Sequence, residues 1–305
     1  MSDIFHEGER RVQAKAGEAK TATSRTQLIT NTIIKGAIGF IKKQPMVIVS
    51  SVDKEQQVWA SILIGEHGFI DVPDANSFVI HLDKVYSNKE DVFYKNIANG
   101  SPIGTLFIEL SSRRRFRING TALMEGNKIH ISVVEAYPNC PKYIQQRNIQ
   151  DPTALQAIEG TIQQGTSFNS LIQDWITSSD TLFWGSISNG KRLDASHRGG
   201  KQGFVEILDD KTIKFPDYPG NSLFNTFGNV VQNKTSGLLF IDFKNRKTLQ
   251  LTGEVDLLFD QNSAADLEKT GGTGRFSTFK VSSWIITENQ HAANWTFLSN
   301  SPFNP

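Results

Sequence analysis

The hydrophobic pattern divides the chain into helical segments and two series of short strands. Residues 1–20 are rich in Glu, Lys, Arg and Ala and predict a short surface helix. A second helix is predicted from Ser24 to Lys43, where apolar side chains recur at helical spacing before Pro45. From Met46 the pattern changes to short apolar runs separated by glycine turns. Such closely spaced runs are typical of a barrel or sandwich rather than a parallel doubly wound sheet.

The predicted strands form two groups. The first has strands at residues 46–51, 58–64, 68–72, 78–82, 104–110, 116–122 and 128–134, with a helix over 92–98. Helices over residues 153–164 and 170–177 connect the groups. The second has strands at 182–186, 204–208, 212–215, 238–243, 249–258 and 276–286, with a helix over 222–230 and a structureless polar stretch at 260–274.

The two groups align with each other at a nearly constant offset. Residues 46–51 align with 181–186, and residues 65–70 with 200–205, both at an offset of 135. Residues 104–109 align with 237–242, and Gly120 with Gly253, at an offset of 133. Blocks that keep one order and nearly one offset predict an internal duplication. The predicted domains are N-terminal helices (1–44), a first unit (45–150), a helical linker (151–180) and a second unit (181–305).

The two copies differ most at a predicted polar turn over residues 194–201 of the second unit. It contains Ser196, His197, Arg198, Gly199, Gly200 and Lys201, whereas the first unit has an apolar sequence there. A phosphate binds where donors converge with positive charge, and Arg presents a planar fork of N–H groups. Glycines let the backbone approach a ligand closely. We predict a phosphate site at Ser196, His197, Arg198, Gly199 and Lys201; an ordinary hairpin with an exposed Arg is the alternative.

A second candidate site lies at the start of the predicted helix over residues 222–230. Residues 216–221 are followed by Asn225, Thr226 and Asn229, which offer amide and hydroxyl groups. The free N–H groups and dipole of a helix start favour an anion. The alternative is an ordinary turn in which Asn221 or Ser222 caps the helix.

Composition excludes several classes of protein. Lys and Arg number 32 against 31 Asp and Glu, so no global field favours nucleic acid or an anionic membrane. The single cysteine, Cys140, excludes an intrachain disulfide and a multi-cysteine metal site. No apolar run reaches the roughly 20 residues that span a bilayer, and the charged N-terminus does not resemble a signal peptide. We expect a soluble cytoplasmic protein with no metal site.

The sequence resembles the pyridoxamine 5′-phosphate oxidase-like, FMN-binding split-barrel superfamily over about residues 40–145 and 175–290. The resemblance rests on the segments 140–144, 203–205, 215–218, 237–240 and 248–253, and on a Ser-His-Arg-Gly-Gly sequence like that of a two-unit bacterial branch. It implies a mainly β fold with flanking helices, in which two tandem split β-barrels form an intramolecular pseudo-dimer. It also implies FMN at the interface of the barrels.

The same resemblance assigns positions to the cofactor. Asn221 and Ser222 stand where the oxidases have an Arg-Lys or Ser-Lys pair on the phosphate, and Thr248 stands where they have a flavin-contacting Gln. Because these substitutions remove positive charge, Arg198 and Lys201 are the candidates to replace it. The resemblance implies an FMN-dependent oxidoreductase for a nicotinamide or small organic substrate.

Three alternatives stay open. The protein could be a non-catalytic sensor that binds flavin, as FMN or FAD, or haem, with His67, His197 or His291 as axial ligand. The run Arg113-Arg114-Arg115 with Arg117 could be a solvated turn, or it could hold a phosphate from across the interface. The whole chain could also form a homodimer.

Overall fold

The computed structural model describes residues 4–98, 100–150, 160–291 and 293–305, and these are mainly β-strand. The strands are β1 (Met46–Val52), β2 (Val58–Ile64), β3 (Ile70–Asp74), β4 (Ser77–His81), β5 (Ser101–Glu109), β6 (Arg114–Glu125), β7 (Lys128–Pro138), β8 (Gln146–Gln150), β9 (Ile162–Gly165), β10 (Thr181–Ile187), β11 (Leu193–Gly199), β12 (Glu206–Ile207), β13 (Thr212–Pro216), β14 (Thr235–Asp242), β15 (Lys247–Leu258), β16 (Phe276–Thr287) and β17 (Asn294–Ser299). The helices are α1 (Glu7–Lys15), α2 (Ala19–Ser24), α3 (Lys35–Lys42), α4 (Val92–Asn96), α5 (Ser170–Ser178), α6 (Asn225–Gln232) and α7 (Ala264–Thr270).

The two main sheets have the same strand order. The first runs β2-β1-β5-β6-β7-β4-β3 and the second β11-β10-β14-β15-β16-β13-β12, so the sheets correspond position by position. Neighbouring strands are antiparallel throughout. The second sheet is extended by β9, which pairs with β16.

The sheets also share a bulge at the glycines that align in the sequence. The register shifts between Asn119 and Gly120 in one sheet and between Thr252 and Gly253 in the other. A Cβ at Gly120 would lie 2.1 Å from the Ser132 carbonyl oxygen, and one at Gly253 would lie 2.1 Å from that of Lys280. Only glycine fits at either bulge without a backbone shift.

The sheets pack against each other through β1, β2 and β5 on one side and β10, β11 and β14 on the other. Two equivalent glycines allow this close approach: a Cβ at Gly104 would lie 2.5 Å from the Asp194 carbonyl carbon, and one at Gly237 would lie 2.5 Å from the Val58 carbonyl oxygen. The buried apolar side chains between the sheets include Met46, Ile48, Ile62, Leu106, Phe183, Ala195, Leu239 and Ile241. This contact places the second unit's β11 beside the first unit's β5 and β6.

Four local predictions are wrong. Between Ser24 and Lys43 a 3-10 turn and α3 replace one helix, because Thr30 forms a β-bridge with Ala136. Residues 162–165 form β9 instead of helix, since they pair with the edge of β16; residues 151–159 lie outside the described residues. The stretch 260–274 contains α7, which Ser263 caps. Residues 194–199 belong to β11, not to a turn.

The termini also contribute to the fold. Helix α1 begins with a capping box formed by His6 and Glu9, and its inner face is buried, so it is not a solvated surface helix. The C-terminal strand β17 pairs with β8, which follows the first sheet in the chain. Among the helices that the structure describes, none is long and apolar enough to cross a bilayer.

The two bulges predict matched effects of substitution. Gly253→Ala and Gly120→Ala should each lower the free energy of unfolding by about 1–3 kcal/mol, because the new methyl group overlaps a carbonyl oxygen. Gly36→Ala is the control: nothing lies within 4 Å of its Cβ position, and alanine favours the helix. Urea unfolding measures all three. Equal stability of the Gly253 and Gly36 variants would contradict the bulge geometry.

Candidate functional site

The strand β11 forms one wall of a cavity between the two units. His197, Arg198 and Gly199 line it from β11, while Arg115 and Arg117 line it from β6. Residues 139–143 complete the side that belongs to the first unit, and residues 216–227 the side that belongs to the second. The cavity volume is about 110 Å³. Both units are therefore needed to form it.

A buried ion pair joins the units at the cavity. The Arg117 Nη1 atom of β6 lies 2.7 Å from Asp194 Oδ2 of β11, and it also donates to the Tyr137 hydroxyl at 2.8 Å. Asp194 accepts further hydrogen bonds from Ser186 and from Thr226 Oγ1, the latter at 2.9 Å. The Arg117 and Asp194 side chains are only 7% and 2% exposed. Their opposite charges are satisfied within the protein.

Two further arginines lack such a partner. Among the described residues, Arg115 donates to two carbonyl oxygens, from Nε to Cys140 at 2.7 Å and from Nη1 to His197 at 3.4 Å. Arg198 Nη1 also donates to the His197 carbonyl oxygen, at 3.3 Å, and its Nε is buried without a hydrogen-bond partner. Within the described part of the chain, no carboxylate forms an ion pair with either guanidinium.

The surroundings of these arginines disfavour their positive charge. Burial lowers the pKa of Arg115 to about 9, and repulsion by Arg117 and Arg198 adds to the effect. Burial also lowers the pKa of Arg198, where Asp217 opposes and Arg117 reinforces the shift. Arginine stays protonated in proteins, so both groups carry positive charge at neutral pH. Both side chains are partly exposed, and an anion in the cavity would accept charge-assisted hydrogen bonds from them.

His197 is a neutral imidazole in this cavity. It is 3% exposed, and neither ring nitrogen has a hydrogen-bond partner among the described residues. Burial moves its pKa well below the ordinary value, and Arg115 and Arg198 move it further in the same direction. Its ring packs edge-on against Phe183 with centroids 5.6 Å apart. His197 therefore contributes no charge at neutral pH.

The opposite wall is a loop that leads into α6. Asn221 does not cap the helix: its side chain accepts from Leu223 N at 3.1 Å, and the helix begins after Phe224. Ser222 and Phe224 have φ values of 61° and 60°, a left-handed conformation that costs energy for residues other than glycine. Asp217, at the start of this loop, pairs with Arg275 at 2.9 Å.

Two tyrosines line the cavity on opposite units. The Tyr143 and Tyr218 rings have centroids 4.8 Å apart, and the Tyr143 hydroxyl donates to the Pro219 carbonyl oxygen at 2.9 Å. Burial raises the pKa of Tyr218 to about 12, so the hydroxyl stays protonated. The two rings are tilted by 39° to each other and add aromatic surface next to the arginines.

The structure brings together only part of the predicted site. His197, Arg198, Gly199, Asn221, Ser222 and Thr226 line the cavity, although the Thr226 hydroxyl is bonded to Asp194. The other four predicted residues are elsewhere. Lys201 is exposed outside the cavity, and Ser196 donates to the Trp184 carbonyl oxygen. The Asn229 side chain donates a hydrogen bond to the Ser186 hydroxyl, and Thr248 is fully buried in β15.

Arg115 and Arg117 are the main residues that are absent from the predicted site. Arg115 occupies the position in β6 that Thr248 occupies in β15, at the offset of 133. Because the cavity takes β11 from one unit and β6 from the other, the first unit's residue faces it and the second unit's does not. In the sequence, the feature that indicated a site here was the run Arg113-Arg114-Arg115 with Arg117 between two predicted strands.

The equivalent corner on the other side of the interface is filled. Gln250, the counterpart of Arg117, donates to Ser61 Oγ at 2.8 Å and to the Ala60 carbonyl oxygen at 2.9 Å. Ser61 and Gln290 donate to Asp91 at 2.6 and 2.9 Å. All of these side chains are buried, and burial raises the pKa of Asp91. Hydrogen bonds between protein groups replace the arginine cavity here.

Helix α1 supports the wall of the cavity from outside. Glu9 accepts a hydrogen bond from the Asn225 side chain, and His6 Nε2 lies 3.0 Å from Asn229 Oδ1. Burial raises the pKa of Glu9 to about 8, with a further contribution from Glu135, while Arg192 opposes the shift. The contact between α1 and α6 therefore contains a carboxyl group that favours its protonated form.

Comparison with known proteins gives only weak similarities. No protein-family model and no curated protein matches the chain. HupZ of Group A Streptococcus matches with 13% identity and a TM-score of 0.31, over 37% of this chain and 89% of that chain. An FMN-binding protein from Syntrophomonas wolfei matches with 11% identity and a TM-score of 0.28, over 37% and 81%.

A third solved structure is a pyridoxamine 5′-phosphate oxidase-related, FMN-binding protein from Nostoc punctiforme. It matches with 10% identity and a TM-score of 0.26, over 40% of this chain and 87% of that chain. At these identities and TM-scores the similarities assign neither a family nor a ligand. Among the described residues there is also no cluster of three His, Cys, Asp or Glu side chains that could hold a metal ion.

The buried Glu9 predicts that stability depends on pH. The unfolded chain releases this proton near pH 4.5 and the folded chain near pH 8, so the free energy of unfolding falls as the pH rises through that window. Glu9→Gln removes this contribution, and the loss of stability between about pH 5 and pH 8 should become smaller. Urea unfolding at both pH values measures it.

Glu55→Gln is the control for this prediction, because Glu55 is exposed. It should leave the pH dependence of stability unchanged. A Glu9 variant with the wild-type pH dependence would show that Glu9 is charged in the folded protein at neutral pH.

Proposed function

We propose that the cavity binds the phosphate group of flavin mononucleotide and that the protein is an FMN-dependent oxidoreductase. The observation that carries the proposal is the convergence of Arg115 and Arg198, one from each unit, on one cavity without a carboxylate partner. A phosphate monoester carries about 1.5 to 2 negative charges at neutral pH, which matches these two arginines. The resemblance in sequence supports flavin over other phosphate esters.

The residues present fit the phosphate end of this cofactor. Arg115 and Arg198 supply charge, Ser222 supplies a hydroxyl, and Asn221 supplies an amide around the same space. The cavity volume of about 110 Å³ suits a phosphate group. It is smaller than the roughly 300–1,000 Å³ of pockets that enclose a whole ligand of this size. The ring of the cofactor therefore needs space beyond the enclosed part of the cavity.

The flavin ring would supply the electron or hydride transfer, and the protein would supply position and electrostatics. Arg115 and Arg198 would fix the phosphate, while Arg117 stays bound to Asp194 and holds the two units together. Neutral His197 adds no positive charge and fills the space behind the arginines. The Tyr143 and Tyr218 rings offer aromatic surface beside the proposed phosphate site. We propose a nicotinamide or a small organic molecule as the electron donor.

A second candidate function is the non-catalytic binding of flavin, as FMN or FAD, or of haem. His197 is the observation that favours haem, because a neutral imidazole with unpartnered nitrogens is the form that ligates iron. Of the other two histidines, His67 lies in a turn and His291 is buried, with its pKa lowered to about 4 by burial. A sharp Soret band distinguishes haem from the two broad bands of flavin.

We further propose that the two units are split barrels that arose by duplication and form a pseudo-dimer within one chain. The identical strand order, the matched bulges and the matched interface glycines support this proposal. The equivalent bonds from Asn96 to Ser51 and from Asn229 to Ser186, both 3.0 Å long, support it as well. A homodimer of the whole chain remains a prediction.

Arginine substitutions test the proposed phosphate site. Arg198→Met and Arg115→Met should each weaken FMN binding by roughly 10- to 100-fold, because each removes a charge-assisted hydrogen bond. Titration monitored by flavin fluorescence gives the dissociation constants. Lys201→Met is the matched control and should bind normally, because Lys201 lies outside the cavity. A protein that stays colourless after incubation with FMN would reject the proposed function.

Because protein side chains fill the second corner, the structure predicts how many FMN molecules one chain binds. Titration should saturate at one FMN per chain rather than two, because Gln250, Ser61, Asp91 and Gln290 close the space equivalent to the arginine cavity. Absorption of bound flavin after gel filtration, compared with protein concentration, measures the ratio. Two flavins per chain would contradict the assignment of a single site.

A further inference from the structure

The N-terminal residues 4–28, which we call the strap, pack against the outside of residues 217–225, the loop that forms one wall of the arginine cavity. The strap contains α1, α2 and the turn Thr26–Leu28. Phe5 and Ala22 of the strap form one buried cluster with Tyr137 of the first unit and Leu223 of the second. The strap therefore contacts both sides of the interface at which the cavity lies.

The strap holds the cavity wall through polar contacts. Gln13 Nε2 donates to the Leu223 carbonyl oxygen at 3.0 Å. Glu18 Oε1 lies 2.9 Å from Nη1 of Arg275, the arginine that also binds Asp217 of the wall. Arg25 Nη1 lies 3.5 Å from the Ser222 hydroxyl. With the bond between Glu9 and Asn225, these contacts are spread along residues 217–225.

The wall that the strap holds is the strained part of the site. Ser222 and Phe224 both have left-handed backbone conformations. Such conformations are unfavourable for residues other than glycine and persist where the surrounding structure determines them. Leu223, between them, is fully buried, and its carbonyl oxygen is bonded to Gln13. The strap supplies part of the structure that keeps the wall in this conformation.

The strap also fits closely against α6. A Cβ at Gly8 would lie 2.1 Å from the Gly228 carbonyl oxygen, and a Cβ at Gly228 would lie 2.4 Å from Glu9 Cγ. The pair of glycines lets the two helices touch at their backbones. Because any larger side chain at position 8 meets backbone, a small substitution there separates the strap from the wall.

We propose that the strap is a closing segment, which must leave residues 217–225 for a ligand to enter the arginine cavity and which then docks again over the bound ligand. The proposal rests on the proposed function, since the cavity encloses about 110 Å³ and a flavin needs more. The wall is a single loop held from outside by separable polar contacts, whereas the opposite side contains the paired strands β6 and β11 as well as residues 139–143. The strap side is therefore the side that opens.

Amide hydrogen exchange of the ligand-free full chain tests the link between strap and wall. Gly8→Ala should speed exchange in residues 217–225 by roughly tenfold or more, and leave β14 and β15 unchanged, because the wall loses its support while the sheet does not. Gly36→Ala is the control, since its Cβ position is open. Unchanged exchange in residues 217–225 would overturn the proposal whatever the ligand is.

Stopped-flow mixing with FMN tests the entry step. The double variant Gln13→Ala, Glu18→Gln removes two strap contacts without a steric clash and serves if the Gly8 variant does not fold. Both association and dissociation should become about tenfold faster, with a smaller change in the dissociation constant. If FMN binds but its rates are unaffected, the strap does not gate the cavity. If FMN does not bind at all, the proposed function fails, and the hydrogen exchange result still decides the link between strap and wall.

Discussion

The buried pair of Arg117 and Asp194 is the interaction on which the site depends. It joins β6 of the first unit to β11 of the second, and Thr226 and Ser186 complete the coordination of the carboxylate. Removal of one partner from such a pair costs several kcal/mol, because the other charge stays buried. The pair also neutralises one of three neighbouring arginines. Arg115 and Arg198 are left to attract an anion, and their positions are fixed by the same contact between strands.

The scaffold was more predictable from the sequence than the site. Gly120 and Gly253 align in the sequence because each lies at a bulge with no room for a Cβ atom, so both positions require glycine. Residues 194–199 were misassigned, because their polar and glycine residues favour turns in isolation. In the fold these residues pair with β10 and contact strands of the first unit. This strand pairing outweighs their local preference for a turn. The arginine run was named only as a possible phosphate site from across the interface, because no local pattern indicates which strand of the other unit Arg115 faces.

The two corners of the interface have the same backbone arrangement but different side chains. His197 and Arg198 of β11 occupy the positions that Ile62 and Leu63 occupy in β2. Arg117 of β6 corresponds to Gln250 of β15, which bonds to protein groups. One corner therefore contains arginines that line a cavity, and the other contains buried side chains that hydrogen-bond to one another. The strand order and the glycine contacts are the same in both, so a few side chains make the difference.

The presence of both units in one chain changes how the site responds to concentration and to mutation. A site shared between two separate subunits is lost on dilution, whereas the two halves of this cavity cannot diffuse apart while the chain is intact. In a symmetric pair of identical subunits, every substitution also appears twice. Here Arg115 and its counterpart Thr248 are separate positions, so either can vary without the other. The covalent connection is thus what permits the two corners to differ, one with an arginine-lined cavity and the other filled by side chains.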